Sequence, residues 1–478
     1  MDKYEVVIGV EVHVELSTKS KIFCGCSTEF GGQANTRICP VCLAMPGTLP
    51  VLNKKVLEYA IAAGLAMNCS ISKFSRFDRK NYFYPDLPKA YQTSQLYLPI
   101  CQNGSLEIEV EESKKSIGIL EIHMEEDAGK LIHDESNDYT YVDYNRSGVP
   151  LIEIVSNPDM RSKEEVIAFL EKLQLMLQYL DVSDCKMQEG SFRADINVSV
   201  KEFTDKELGT RTEMKNINSF KAIGRAIDYE ATRQIELIEE GGQVVQETRR
   251  WDDNKGISQA LRSKVDARDY RYFPDPDMPP IILDNNFVKA IKDRQAELRD
   301  DKVARYIKDY GLPDYDAKVL TSSKYLAKLF EETVDICHNP KEISNWIMVE
   351  TMRLVRDREI EVEDISFAPS NFAKLINLLV DGKINRTVAK EIFEEIFDNN
   401  IDPELYVKEH NLAIVADYVA LESIIDEIIA KFPESVSDYK NGKDKAFRHL
   451  MGQTMKMMKG KADPILVNEI LKKKLEEV

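Results

Sequence analysis

Apolar and polar positions divide the chain into two regimes: residues 4–290 mix strand-like alternation with helical spacing, and about 291–478 carry helical spacing almost throughout. In residues 5–15, Val6, Ile8, Val10, Val12 and Val14 point one way and leave Glu11, His13 and Glu15 on the other face. Residues 117–126 set Leu120, Ile122 and Met124 against Glu121, His123 and Glu125. Residues 151–155 set Ile152 and Ile154 against Glu153. In 193–200, Ala194, Ile196, Val198 and Val200 oppose Arg193, Asp195, Asn197 and Ser199, and in 211–217 Arg211, Glu213 and Lys215 share a face. Five strands thus have one face rich in ionisable groups.

Two helices are well marked. Ser162 and Glu165 have the spacing of a capping box ahead of Val166, Phe169, Leu170, Leu173 and Leu177. A second helix starts at Ser219, carries Ile223, Ile227, Ile235 and Ile238, and stops at Gly241-Gly242. The Pro-rich run Phe273–Pro280 excludes a helix or central strand and marks the approach to the helical part. A further break falls at Asn399–Pro403. These breaks predict domains at 1–292, 293–400 and 401–478.

The 478 residues suit several domains, and no run of about 18 apolar residues offers a membrane span. The start, Met1-Asp2-Lys3-Tyr4, lacks a signal-peptide layout, so the expected location is the cytoplasm. A net charge of −18 argues against a polyanionic partner for the chain as a whole. The end reverses that argument: Lys440 to Lys474 holds ten Lys or Arg and three acids, a local +7. Lys443, Arg448, Lys456, Lys459 and Lys461 are the candidate tRNA contacts there, with Phe447, Leu450, Met451 and Met455 expected to pack inward. A solvated helix face is the ordinary reading of such lysines; the acidic background is what sets this one apart.

Of eight cysteines, four form two couples, Cys24-Gly25-Cys26 and Cys39-Pro40-Val41-Cys42, twelve residues apart. In a reducing compartment this spacing reads as a structural zinc site that ties down the loop between 24 and 42. Charged outer faces are ordinary in antiparallel sheets. Here, however, the acids outnumber their partners, and Glu11/His13/Glu15 and Glu121/His123/Glu125 repeat an acid-His-acid pattern. Two carboxylates 4 Å apart repel by about 4 kcal/mol at an effective dielectric of 20, so such a face calls for a cation. No P-loop, dinucleotide fingerprint or nucleophile elbow occurs. Lys456-Met457-Met458-Lys459 has no matching His-x-Gly-His and reads as a basic helix.

Several segments resemble the amidotransferase B-subunit family: Val142–Pro158 (VDYNRSGVPLIEIVSNP), Ile8–His13, His123–Lys130, Arg79–Asp86, Gly190–Asp195, Glu213–Ser219 and Asp269–Pro274. Gly452–Lys456 and Lys459–Pro464 resemble its tail, so the likeness spans nearly the whole chain. The resemblance implies an α+β fold: a glutamine-synthetase-like antiparallel-sheet catalytic cradle, an all-α helical domain and a YqeY-like helical tail. It implies ATP-dependent phosphorylation of the side-chain carboxylate of misacylated Glu-tRNA(Gln) or Asp-tRNA(Asn), followed by displacement with ammonia. The ammonia would come from a glutaminase A subunit, with a small C subunit holding the pair together.

On that reading Glu11, His13, Glu125, Glu126 and Glu153 are candidate Mg²⁺ ligands, with Asp195 and Glu213 as second-site or outer groups, and Cys24, Cys26, Cys39 and Cys42 hold Zn²⁺. Glu125, Glu126, Asp195, Lys80 and Arg193 are the catalytic candidates, and Arg146, Arg211, Glu213 and Lys215 the nucleotide-binding ones. The competing expectation is a non-catalytic, zinc-stabilised tRNA adaptor. ATP consumption by the chain with tRNA and ammonia separates the two.

Overall fold

The computed structural model describes residues 3–134, 136–263, 270–414, 418–457 and 464–477. The chain divides into two compact units, Met1–Leu298 and Arg299–Val478. No helix of the described residues is long and apolar enough to cross a membrane.

The first unit holds the strands β1 (Tyr4–Glu15), β2 (Ser70–Ile71), β3 (Phe74–Ser75), β4 (Asp78–Asn81), β5 (Tyr91–Ser94), β6 (Cys101–Val110), β7 (Ser113–Glu126) and β8 (Lys130–Asp134). They are followed by β9 (Tyr139–Asp143), β10 (Pro150–Ser156), β11 (Phe192–Glu202), β12 (Thr212–Lys215), β13 (Glu247–Asp252), β14 (Ile257–Ser263), β15 (Phe273–Pro274) and β16 (Ile281–Ile282). Its helices are α1 (Lys54–Ala66), α2 (Lys163–Tyr179), α3 (Phe220–Glu239) and α4 (Asn285–Lys292). Nine strands form one sheet in the order β14-β13-β12-β11-β1-β10-β7-β6-β2. The alternation in β1 explains its central place: Ile8, Val10, Val12 and Val14 are buried in the main core with Phe169, Leu173 and Ile223 from α2 and α3. Burying each such side chain contributes roughly 1.5–3 kcal/mol.

Three sequence expectations need correction. The sheet is not purely antiparallel, because β12 and β13 pair in parallel; α3 provides the crossover that parallel neighbours require. Leu120 is exposed instead of lying with Ile122 and Met124. The register between β7 and β10 slips at Val155/Ser156, where Ser156 pairs with Ile119, and the bulge turns Leu120 outward. The Ser162 side chain does accept from Glu165 N, but Glu165 Oε2 accepts from Arg161 N and its carboxylate binds Lys115, so the box closes one residue early.

The Pro-rich run lies where proline is tolerated: Pro274 is in β15, at the edge of the small sheet β15-β4-β5. Beyond it, Ile291 of α4 still belongs to the first core.

The second unit is helical and has two separate apolar cores. One runs from Tyr306 to Val407 and includes Trp346, Phe372 and Phe393. The other runs from Leu421 to Leu475. The break at Asn399–Pro403 is real at the helix level, since Asn400 adopts φ 50° and Asp402 caps the helix Pro403–Glu409. That helix nevertheless returns Val407 to the preceding core. In the helix Asp444–Met457, Leu450 is fully buried, with Phe447, Met451 and Met455 packed beside it.

Candidate functional site

Helices α1–α3 cover the apolar face of the large sheet, and the ionisable groups gather on the opposite face of β11, β1, β10 and β7. Pairing sets His13 opposite both Glu153 and Arg193, Glu11 opposite Asp195, and Glu153 opposite His123. Adjacent strands lie about 4.8 Å apart, so residues distant in sequence meet. His13 Nε2 is 3.5 Å from Glu125 Oε1 and 3.5 Å from Glu153 Oε2. One ligand atom from each of His13, Glu125 and Glu153 lies within 4.8 Å of the others. His123 extends the cluster, with Nε2 2.9 Å from Glu153 Oε2 and Nδ1 3.5 Å from Glu121.

The electrostatics follow from burial and like charge. Burial, and then the Glu153 charge opposed by His13, raises the pKa of Glu125. Burial works against a charged His123, but Glu121 and Glu153 outweigh it and push the imidazole up to about 10. Burial opposes charge on His13 too, and Glu153 and Glu125 again raise it. Glu153 is buried yet held well below the carboxylate range by both histidines. With protein groups alone, then, the imidazoles supply the positive charge these acids demand.

Around this centre stand the other expected residues. Glu11 accepts from Asn197 Nδ2 at 3.0 Å and, with Arg211, lines a groove of about 480 Å³ that also includes Gly9, Leu120 and Ser199. Lys215 bonds Asp195 and lies 2.8 Å from Glu213 Oε1, so all three belong to one neutralised group. Lys80 sits over the Tyr270 ring at 5.1 Å, and its charge bears on Glu125.

Glu126 is not brought into the cluster. It follows the parity of Met124, lies on the other side of the strand, binds Lys89 and accepts from Thr93 N at 2.8 Å. Arg193 and Arg146 are on the right face, but they converge on a residue absent from the expected set. Arg193 Nη1 is 3.0 Å and Arg146 Nε 3.5 Å from Asp127 Oδ2. Asp127 is legible in the sequence as the next position after Glu125 on that face. Glu15 completes this group, pushed up to about 8 by burial and then by Asp127.

The four cysteines of the two couples do meet, one sulfur from each lying within 4.8 Å of the rest. Cys39 Sγ and Cys42 Sγ are 3.9 Å apart. Tetrahedral zinc at about 2.3 Å from each sulfur requires about 3.8 Å, so the donor set fits that ion. Cys42 is held well below the thiol range, first by the Cys24 hydrogen bond and further by the Cys39 N–H and Lys21. In the tail, Lys443, Arg448 and Lys456 are exposed, and Lys443 pairs with Asp438 at 2.8 Å. Lys459 and Lys461 lie outside the described residues.

Comparison with known proteins agrees with this layout. A family model described as the GatB/GatE catalytic domain matches residues 6–289, and one described as the GatB domain matches 328–475. The chain is 65% identical over 477 residues to the B subunit of the aspartyl/glutamyl-tRNA(Asn/Gln) amidotransferase of Lachnoclostridium phytofermentans, covering 100% of both. Identity to the protein of the same name from Agathobacter rectalis is 61% over 471 residues, covering 98% of this chain and 99% of that one. With two family models matched in order and relatives alike from end to end, the chain belongs to the GatB/GatE family of tRNA amidotransferase B subunits.

Proposed function

We propose that this chain is the kinase and transferase component of a tRNA-dependent amidotransferase. It moves the γ-phosphoryl group of ATP to the side-chain carboxylate of glutamate on tRNA(Gln) or aspartate on tRNA(Asn). Ammonia then displaces phosphate to leave the amide. The observation that carries this reading is the convergence of His13, Glu125 and Glu153 from three neighbouring strands on one face.

These three, with Glu11 beside them, would hold Mg²⁺; a bound ion would neutralise the phosphates during transfer. The groove beside Glu11 and Arg211 suits the nucleotide, since it opens directly next to the acid cluster. Lys80 adds positive charge beside Glu125, where a developing acyl phosphate would need it. Asp127 fixes the directions of Arg193 and Arg146, whose guanidinium groups then present a set geometry to the substrate. Lys215 keeps Asp195 and Glu213 neutralised at the rim.

The cysteine centre would hold Zn²⁺ as a structural element, with all four positions taken by sulfur. Ammonia would come from a glutaminase A subunit, steadied by a small C subunit, and the basic tail would grip the tRNA body. The names of the relatives support these partners. The test is amidation of misacylated tRNA by the assembled enzyme with ammonia as donor: ATP should be consumed in step with amide formed. Amide transfer without ATP consumption by this chain's site would leave it an adaptor.

A further inference from the structure

Lys21 is fully buried, yet among the described residues no carboxylate lies within ion-pair distance of it. Its Nζ instead donates to Cys42 Sγ at 3.7 Å and to the Tyr144 carbonyl at 3.3 Å. An ammonium taken out of water without an anion is costly by several kcal/mol, so a buried lysine needs a neutralising partner. The cysteine centre is the anion at hand: four thiolates around a divalent ion carry a net charge of about −2.

The local backbone is built to hold this contact. Ile22 N donates to the Gly148 carbonyl at 2.9 Å, and Lys21 N donates to the Cys26 carbonyl at 2.9 Å. Gly148 has φ +83°, and a Cβ there would stand 3.6 Å from Lys21 Cδ and 3.7 Å from Cys42 Cβ. The lysine stem therefore runs past Gly148 to the sulfur. Cys42 Sγ also accepts from Cys39 N at 3.1 Å, so two donors converge on one thiolate. Tyr144, the second acceptor, begins the turn that carries Arg146, and Arg146 faces Asp127 on the acidic sheet face.

We propose that Lys21 is the counter-cation of the cysteine centre, and the residue that ties that centre to the 144–148 turn. It donates to the Cys42 thiolate, offsets half of the negative charge and makes the sulfur a poorer nucleophile and a slower leaving ligand. The proposal rests on the zinc reading above. It assigns to a lysine outside every expected site a positioning role that depends on metal loading.

The experiment compares wild type, Lys21→Met and Lys21→Arg as full-length protein loaded with zinc. Zinc release to a chromophoric chelator and the rate of Cys42 alkylation by iodoacetamide are the readouts, with circular dichroism to verify folding. Loss of groups that hydrogen-bond metal ligands typically weakens a site about 10- to 100-fold. Lys21→Met should therefore release zinc faster by about that factor and be alkylated sooner at Cys42. Lys21→Arg, which keeps the charge, should stay near wild type. If Lys21→Met does not fold, Lys21→Gln takes its place with the same expected outcome. Release and alkylation rates equal to wild type in the uncharged variant overturn the proposal. A wild-type protein that binds no zinc overturns the zinc reading itself, which is a distinct result.

Discussion

Glu125 and Glu126 are consecutive residues that serve opposite sides of one strand: Glu125 lies against His13 Nε2 at 3.5 Å, and Glu126 binds Lys89 and Thr93 N. The difference separates them experimentally. Glu126→Gln should leave divalent-cation binding at the His13 cluster unchanged while stability falls by about 1–3 kcal/mol, because Lys89 loses its charged partner. Cation titration and chemical denaturation of the same variant check both halves. Loss of cation binding would place Glu126 with the cluster after all.

Stability at acid pH should depend on Glu230. Its side chain is buried, and burial alone would raise its pKa, but Arg233, Gln234 and Thr212 hold it below the ordinary value of 4.5. A depressed carboxyl contributes stability above the unfolded-state pKa, and that contribution is lost as pH falls through the folded value. Glu230→Gln should therefore lower stability at neutral pH and flatten the loss on acidification below about pH 4.5. Denaturation midpoints at a series of pH values measure this; parallel curves would contradict it.

Cys39→Ser should bring zinc below one equivalent and loosen the loop from Cys24 to Cys42, while the sheet face stays assembled. Elemental analysis of protein purified without chelator, with limited proteolysis of the loop, provides the check. Wild-type zinc content in the variant would show that Cys39 is not a ligand.

In the tail, Arg448 and Lys456 are exposed on a helix whose apolar side packs into its own core. Replacing both by Ala should weaken binding of misacylated tRNA, with the log–log salt slope reduced by about two if each contacts one phosphate. Filter binding across a salt series decides, and unchanged affinity and slope would leave a solvated helix face. Truncation is better placed after Ile414 than near 405, because Val407 belongs to the preceding core.

Period-two alternation reveals much of the metal face: His13, Glu125 and Glu153 are legible one strand at a time, and only the order of strands is missing. Glu126 departs from expectation because neighbouring carboxylates in a motif look equivalent until the strand assigns them to opposite sides. Leu120 depends on a bulge, and a slip of one residue leaves no trace in the hydrophobic pattern. The parallel pairing of β12 and β13 is hidden for another reason: helical spacing announces α3, but not that it returns the chain beside β12. Asn400 and Pro403 truly end and start helices, yet helix punctuation does not report which core the next helix joins. Lys21 gives no signal, since a lysine's burial beside a sulfur is a property of the folded turn alone.

The central claim is that the acid-imidazole face of the sheet holds the cation used in phosphoryl transfer. Its most direct measurement is Mg²⁺-dependent ATP turnover by the assembled enzyme, with misacylated tRNA and ammonia, for wild type and Glu125→Gln. Glu125→Gln removes one member of a repelling cluster, so the protein should fold normally, while divalent binding and ATP turnover fall together. Wild-type Mg²⁺-dependent turnover in that variant would contradict the account.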